Sequence, residues 1–73
     1  MRAKIKPLAM EQVIQELKDR RLDAGVTLGE LARRMGAERA RLSEIENGRG
    51  GLTLKMMYRW AEALGLRVTI NFK

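Results

Sequence analysis

Arg39, Ala40, Ser43 and Glu44 lie in the segment Gly36-Ala37-Glu38-Arg39-Ala40-Arg41-Leu42-Ser43-Glu44-Ile45-Glu46-Asn47-Gly48. Their types and spacing suit hydrogen bonding to base edges rather than bond-breaking chemistry. Leu42 and Ile45, three apart, share one face of a helix, and Arg39, Ala40, Ser43 and Glu44 fall on another face that projects outward. A helix that enters a DNA major groove needs such a face: one guanidinium able to grip guanine bidentately, and short side chains that allow close approach. A second group, Arg49, Thr53 and Lys55, surrounds a predicted helix start, where free N–H groups favour a phosphate. Charges beside glycine-rich loops can also be merely solvated; phosphate contact is the expectation here.

The chain has neither His nor Cys. This removes disulfides, thiol chemistry, the usual zinc site and the commonest general base together. No nucleophile and base pair, metal cluster or phosphate-binding glycine motif is visible, so neither enzyme activity nor a cofactor is expected. With 15 Lys+Arg against 9 Asp+Glu, the formal net charge of +6 favours a polyanionic partner. The 73 residues are read as a single domain, 1–73. A chain this short buries only about 60% of its unfolded surface, so dimerisation would strengthen it. No run of roughly 18 apolar residues is present, which argues against a membrane span and for a soluble, cytoplasmic protein.

The elements that must position these residues follow from periodicity and punctuation. Residues 1–7 alternate charged and apolar side chains up to Pro7 and read as a basic arm, with a short edge strand as the alternative. From Leu8 the spacing becomes helical, with Val13, Ile14, Leu17 and Leu22 on the apolar stripe and an end before Gly25. Thr27-Leu28-Gly29-Glu30 is a capping box that starts a second helix. That helix runs to about Met35, with Leu28, Leu31, Ala32 and Met35 inward and Arg33 and Arg34 outward, and Gly36 can end it in the left-handed conformation. After the organising helix, Asn47-Gly48-Arg49-Gly50-Gly51 is too rich in glycine to be helical and reads as a flexible turn. Thr53 caps a fourth helix through Leu54, Met57, Trp60, Ala61 and Leu64, closed by Gly65. Met56, Met57, Tyr58 and Trp60 are simplest as core, but they exceed one stripe, and the surplus is read as facing a partner. Arg67-Val68-Thr69-Ile70-Asn71-Phe72-Lys73 alternates and is rich in β-branched residues, which predicts a strand.

Over roughly Leu17 to Leu66 the chain resembles the phage-repressor, Cro-like or Xre, helix-turn-helix family. The matching residues are Arg21, Gly25-Val26-Thr27, Glu30-Leu31-Ala32, Gly36, Leu42-Ser43-x-Ile45-Glu46-Asn47-Gly48 and Ala61-x-Ala63-Leu64-Gly65-Leu66. The match is physically coherent: Ala32 lets two helices cross closely, Gly36 makes the turn, and Ile45 anchors the recognition helix. Two positions depart from the pattern. Leu28 stands where the family often has Gln, which implies one lost contact, and Glu38 stands where Ser or Thr usually caps the recognition helix. Glu38 suits the positive end of the helix dipole but would face phosphates badly. The resemblance implies that Arg21 pairs with Glu46, tying helix one to the recognition helix, although Glu46 alone could be a surface acid. Asn47 could serve only as the end of that helix, while its family analogue also touches a phosphate, and the two readings carry equal weight. Short relatives with a terminal strand look like the antitoxin and autorepressor type.

The expected fold is mainly α: a four-helix, lambda-repressor-like helix-turn-helix domain with a C-terminal β-strand pairing across a dimer. The expected function is sequence-specific transcriptional repression. Arg39, Ala40, Ser43 and Glu44 would read base edges, and Thr27, Arg34, Arg41, Asn47, Arg49 and Lys55 would hold phosphates. Taken alone, Arg39 and Arg41 could be ordinary solvated charges, and their place within the motif favours the DNA reading. Met56, Trp60, Val68, Ile70 and Phe72 would form a homodimer junction, presenting two recognition helices to a palindromic operator in double-stranded DNA. A narrower version is an antitoxin that represses its own operon and binds a cognate toxin, in a bacterium or phage. The alternative is a protein-interaction module that keeps the fold without specific DNA binding.

Overall fold

The structure, a computed structural model, describes residues 8–69, with side chains from Met10 onward. Segment 1–7, read above as arm or edge strand, and Ile70, Asn71, Phe72 and Lys73 lie outside those residues. Four helices follow in order: α1 (Leu8–Asp23), α2 (Leu28–Met35), α3 (Arg39–Glu46) and α4 (Leu54–Ala63). α2 packs on both α3 and α4, and α1 packs on α3, around a core that includes Leu17, Leu31, Leu42, Ile45, Met57 and Trp60.

Local chemistry sets each boundary. α2 and α4 begin at Thr27 and Thr53, whose Oγ1 atoms accept the N–H groups of Glu30 and Met56, each at 3.1 Å. α2 stops at Gly36, where φ is 67°, a left-handed value that costs a residue with Cβ roughly 1–2 kcal/mol. There the Ala37 N–H turns back to the Ala32 carbonyl at 2.9 Å and Gly36 donates to Arg33, satisfying carbonyls the helix would otherwise leave free. The same pair of bonds closes α1 at Gly25, α3 at Gly48 and α4 at Gly65, all with positive φ.

Three sequence expectations need correction. Leu22 is 55% exposed, because five residues on from Leu17 it lies roughly 140° round the helix, off the apolar stripe. Leu54 is 57% exposed as the first residue of α4, before the helix reaches the core. No strand occurs among the described residues: Arg67–Thr69 have no ladder partner there, and a strand requires one. Val68 is instead half-buried against the helical core of its own chain. The glycine-rich turn is also better anchored than its composition implies. Leu52 is buried, and a Cβ on Gly50 would lie 3.2 Å from Ile45 Cγ1, so the turn lies directly against the end of α3.

Candidate nucleic-acid interface

α3 is held by one face only. Leu42 and Ile45 are fully buried, and the next helical position on that side is Glu46, whose carboxylate is clamped by Arg21 of α1. Arg21 Nε donates to Glu46 Oε2 at 2.8 Å and Nη2 to Oε1 at 3.0 Å. Its remaining Nη1 donates at 2.8 Å to the Val26 carbonyl in the turn before α2. The side chains retain only 9% and 4% of their accessible surface. This is the pairing the family resemblance implied, and it is more deeply buried than a surface ion pair. One guanidinium therefore ties α1, the α1–α2 turn and the C-terminal end of α3 together with forked, charge-assisted hydrogen bonds.

The opposite face of α3 has little internal commitment. At roughly 100° per residue, Arg39, Ser43, Asn47, Ala40 and Glu44 follow one another across an arc of roughly 140°, with Arg41 at its margin. Arg39, Ala40, Arg41, Glu44 and Asn47 are exposed, and Ser43 is half-buried with a long 3.5 Å contact from Asn47 Nδ2 to its Oγ. At the start of the helix, Glu38 has an extended backbone but makes no side-chain capping bond. Thr27, Arg49 and Lys55 are exposed as well, although Thr27 Oγ1 already serves as the α2 cap. Arg39, Arg41, Arg49 and Lys55 form no ion pair among the described residues.

Arg34 is placed differently. It donates from Nε to Glu30 Oε2 and from Nη1 to the Ala63 carbonyl, both at 3.0 Å, so it caps the C-terminal end of α4. Arg59 of α4 in turn donates to the Met35 carbonyl at the end of α2. Each helix thus supplies an arginine to a terminal carbonyl of the other. Sequence reasoning missed Arg59 altogether and assigned Arg34 a phosphate; the partners lie 24 and 29 residues away, where no local pattern points. Of the residues assigned to a dimer junction, Met56 and Val68 are half-buried, whereas Trp60 is 1% exposed and belongs to the core. Trp60 cannot meet a second chain without opening that core. Ile70 and Phe72 fall outside the described residues.

The helix pair α2 and α3, joined by the tight turn at Gly36 and braced by α1 and α4, defines a helix-turn-helix domain. The helix-turn-helix family model of Cro/C1, Xre-like type matches residues 17–70, most of the chain, and the protein belongs to that family of DNA-binding transcription regulators. No curated protein and no solved structure matches it. Among the described residues no helix is long and apolar enough to cross a membrane.

Proposed function

We propose that the protein is a sequence-specific transcriptional repressor that reads a palindromic operator as a homodimer. The observation that carries this reading is α3 itself. One face is locked by Leu42, Ile45 and the Arg21–Glu46 clamp, while the other offers Arg39, Ala40, Ser43 and Glu44 without ion pairing to Arg39. In this reading those four residues face base edges, Arg39 gripping a guanine, and Thr27, Arg41, Asn47, Arg49 and Lys55 position the domain on phosphates. Arg34 is left out of the phosphate set because Glu30 and the Ala63 carbonyl already occupy it.

Dimerisation is part of the proposal. In this reading the segment from Arg67 to Lys73, which has no ladder partner among the described residues of its own chain, gains one by pairing antiparallel with its copy across a twofold axis. Two recognition helices then meet successive major grooves about 34 Å apart. The narrower reading, an autorepressing antitoxin with a toxin partner, rests on the resemblance to short relatives of that type. A small toxin-like reading frame beside the gene supports it, and an isolated gene argues against it.

Selection from random duplex DNA tests the main reading. The expected outcome is an enriched inverted repeat with half-site centres about 10–10.5 base pairs apart, bound with a steep inverse dependence on salt. Exposed Leu54 and Tyr58 on α4 favour a second reading, a protein-interaction module. Failure to enrich any sequence, with binding no tighter than to random DNA, favours that module instead.

A further inference from the structure

Glu44 is an exposed acid on the face of α3 read above as entering the major groove. Glu30 of α2 and Glu46 of α3 are each held by arginines, whereas Glu44 forms no ion pair among the described residues, although Arg41 stands one turn before it. The backbone that carries it is fixed. Ile45 beside it is fully buried, and the Glu44 carbonyl accepts the Arg49 N–H at 2.8 Å. A carboxylate without an internal partner therefore stands at a set place on the reading face.

An ionised carboxylate only accepts hydrogen bonds, and phosphates and most base-edge atoms are acceptors too. In the major groove the donors are the N4 amine of cytosine and the N6 amine of adenine. Adenine sets its N7 acceptor beside N6, where it repels a second acceptor, whereas cytosine carries only a C–H beside N4. We propose that Glu44 reads cytosine, accepting from its N4 amine, and so fixes one C·G pair in each half-site. The inference rests on the reading of α3 above and names the base that reading left open. Guanine O6 and thymine O4 would put an acceptor against the same carboxylate, so Glu44 selects by repulsion as well as by bonding. Arg39 and Glu44 bound the outward arc of α3 and are five residues apart, roughly 7.5 Å along the helix axis. At about 3.4 Å per base step, the guanine gripped by Arg39 and the cytosine read by Glu44 lie about two steps apart.

The test compares the unsubstituted chain with Glu44→Ala and Glu44→Gln, first by selection from random duplex DNA and then by titration of the selected site with each base in turn at every position. Because Glu44 is exposed and unpaired, both variants should unfold at the temperature of the parent. The expected parent motif holds one cytosine per half-site, preferred about tenfold over the other bases. Glu44→Ala should lose preference at that pair alone. Glu44→Gln should turn the preference to adenine, since an amide offers an acceptor to N6 and a donor to N7 together. Selection of one unchanged motif by all three proteins, with operator and random duplex both bound more tightly once the charge is gone, would make Glu44 a repulsive charge beside phosphates. That result overturns this inference and leaves the reading of α3 standing, as does a Glu44-dependent pair at which the parent prefers any base but cytosine. A parent chain that enriches no sequence overturns the reading of α3 and this inference with it.

Discussion

α2 and α3 are each eight residues long, pack against each other and close on the same glycine turn, yet they begin in different ways. α2 is closed at both ends from within the protein: Thr27 caps its first turn, and Arg59 reaches across from α4 to the Met35 carbonyl. α3 is fixed at its C-terminal end by the buried Arg21–Glu46 clamp, but Glu38 at its start makes no capping bond and its outer side chains face solvent. The difference separates a strut from a reader. A helix capped at both ends from within the protein can hold an angle, whereas one with an uncapped start and unpaired cations keeps its interactions for something outside.

The comparison can be broken most forcefully at the clamp. Arg21→Ala or Glu46→Ala leaves one buried charge uncompensated and should cost about 3–5 kcal/mol, while replacing both partners with apolar residues should cost less than either single change. Urea unfolding of the two single variants and the double variant measures the coupling. A value near zero would mean that α3 is held by Leu42 and Ile45 alone.

The cross-caps between α2 and α4 come next. Arg59→Ala strips the Met35 carbonyl of its charged donor and should lower stability by about 1–3 kcal/mol. Arg34→Ala should have a similar effect, since Arg34 and Arg59 are both exposed residues that each donate to a terminal carbonyl of the other helix. Equal, negligible losses in both would show that packing of α2 on α4 fixes their angle without the arginines.

The smallest effect sharpens the contrast between the two helix starts. Thr27→Ala should destabilise by about 1 kcal/mol, because Glu30 loses its acceptor, whereas Glu38→Ala should stay within about 0.5 kcal/mol, having no capping bond to lose. Matching losses by thermal denaturation would remove the distinction.

How much of this was legible in the sequence depends on the range of the chemistry. The helix starts at Thr27 and Thr53 and the stops at Gly25, Gly36 and Gly65 could be read directly, because a cap is decided by residues within one turn of it. The outward face of α3 was legible from the spacing of Leu42 and Ile45. The Arg21–Glu46 clamp, 25 residues apart, was reached only through the family resemblance, and the Arg34 and Arg59 caps were not reached at all. Leu52 was overlooked because a loop has no period to mark an inward residue. The alternation from Arg67 onward was read as a strand, but alternation describes only one half of a ladder, and the other half is not among the described residues.

The central claim, that α3 reads bases while its neighbours hold phosphates, is tested most directly by comparing Arg39→Ala with Lys55→Ala. Each variant is titrated with a selected operator and with random duplex over a range of salt. Arg39→Ala should weaken operator binding by about 1–3 kcal/mol and relax preference at one base pair, leaving random-DNA affinity much less affected. Lys55→Ala should weaken both duplexes about equally and reduce the salt slope by about one unit. Equal losses on operator and random DNA for Arg39→Ala would make Arg39 a phosphate contact and contradict the assignment of α3 as the reading helix.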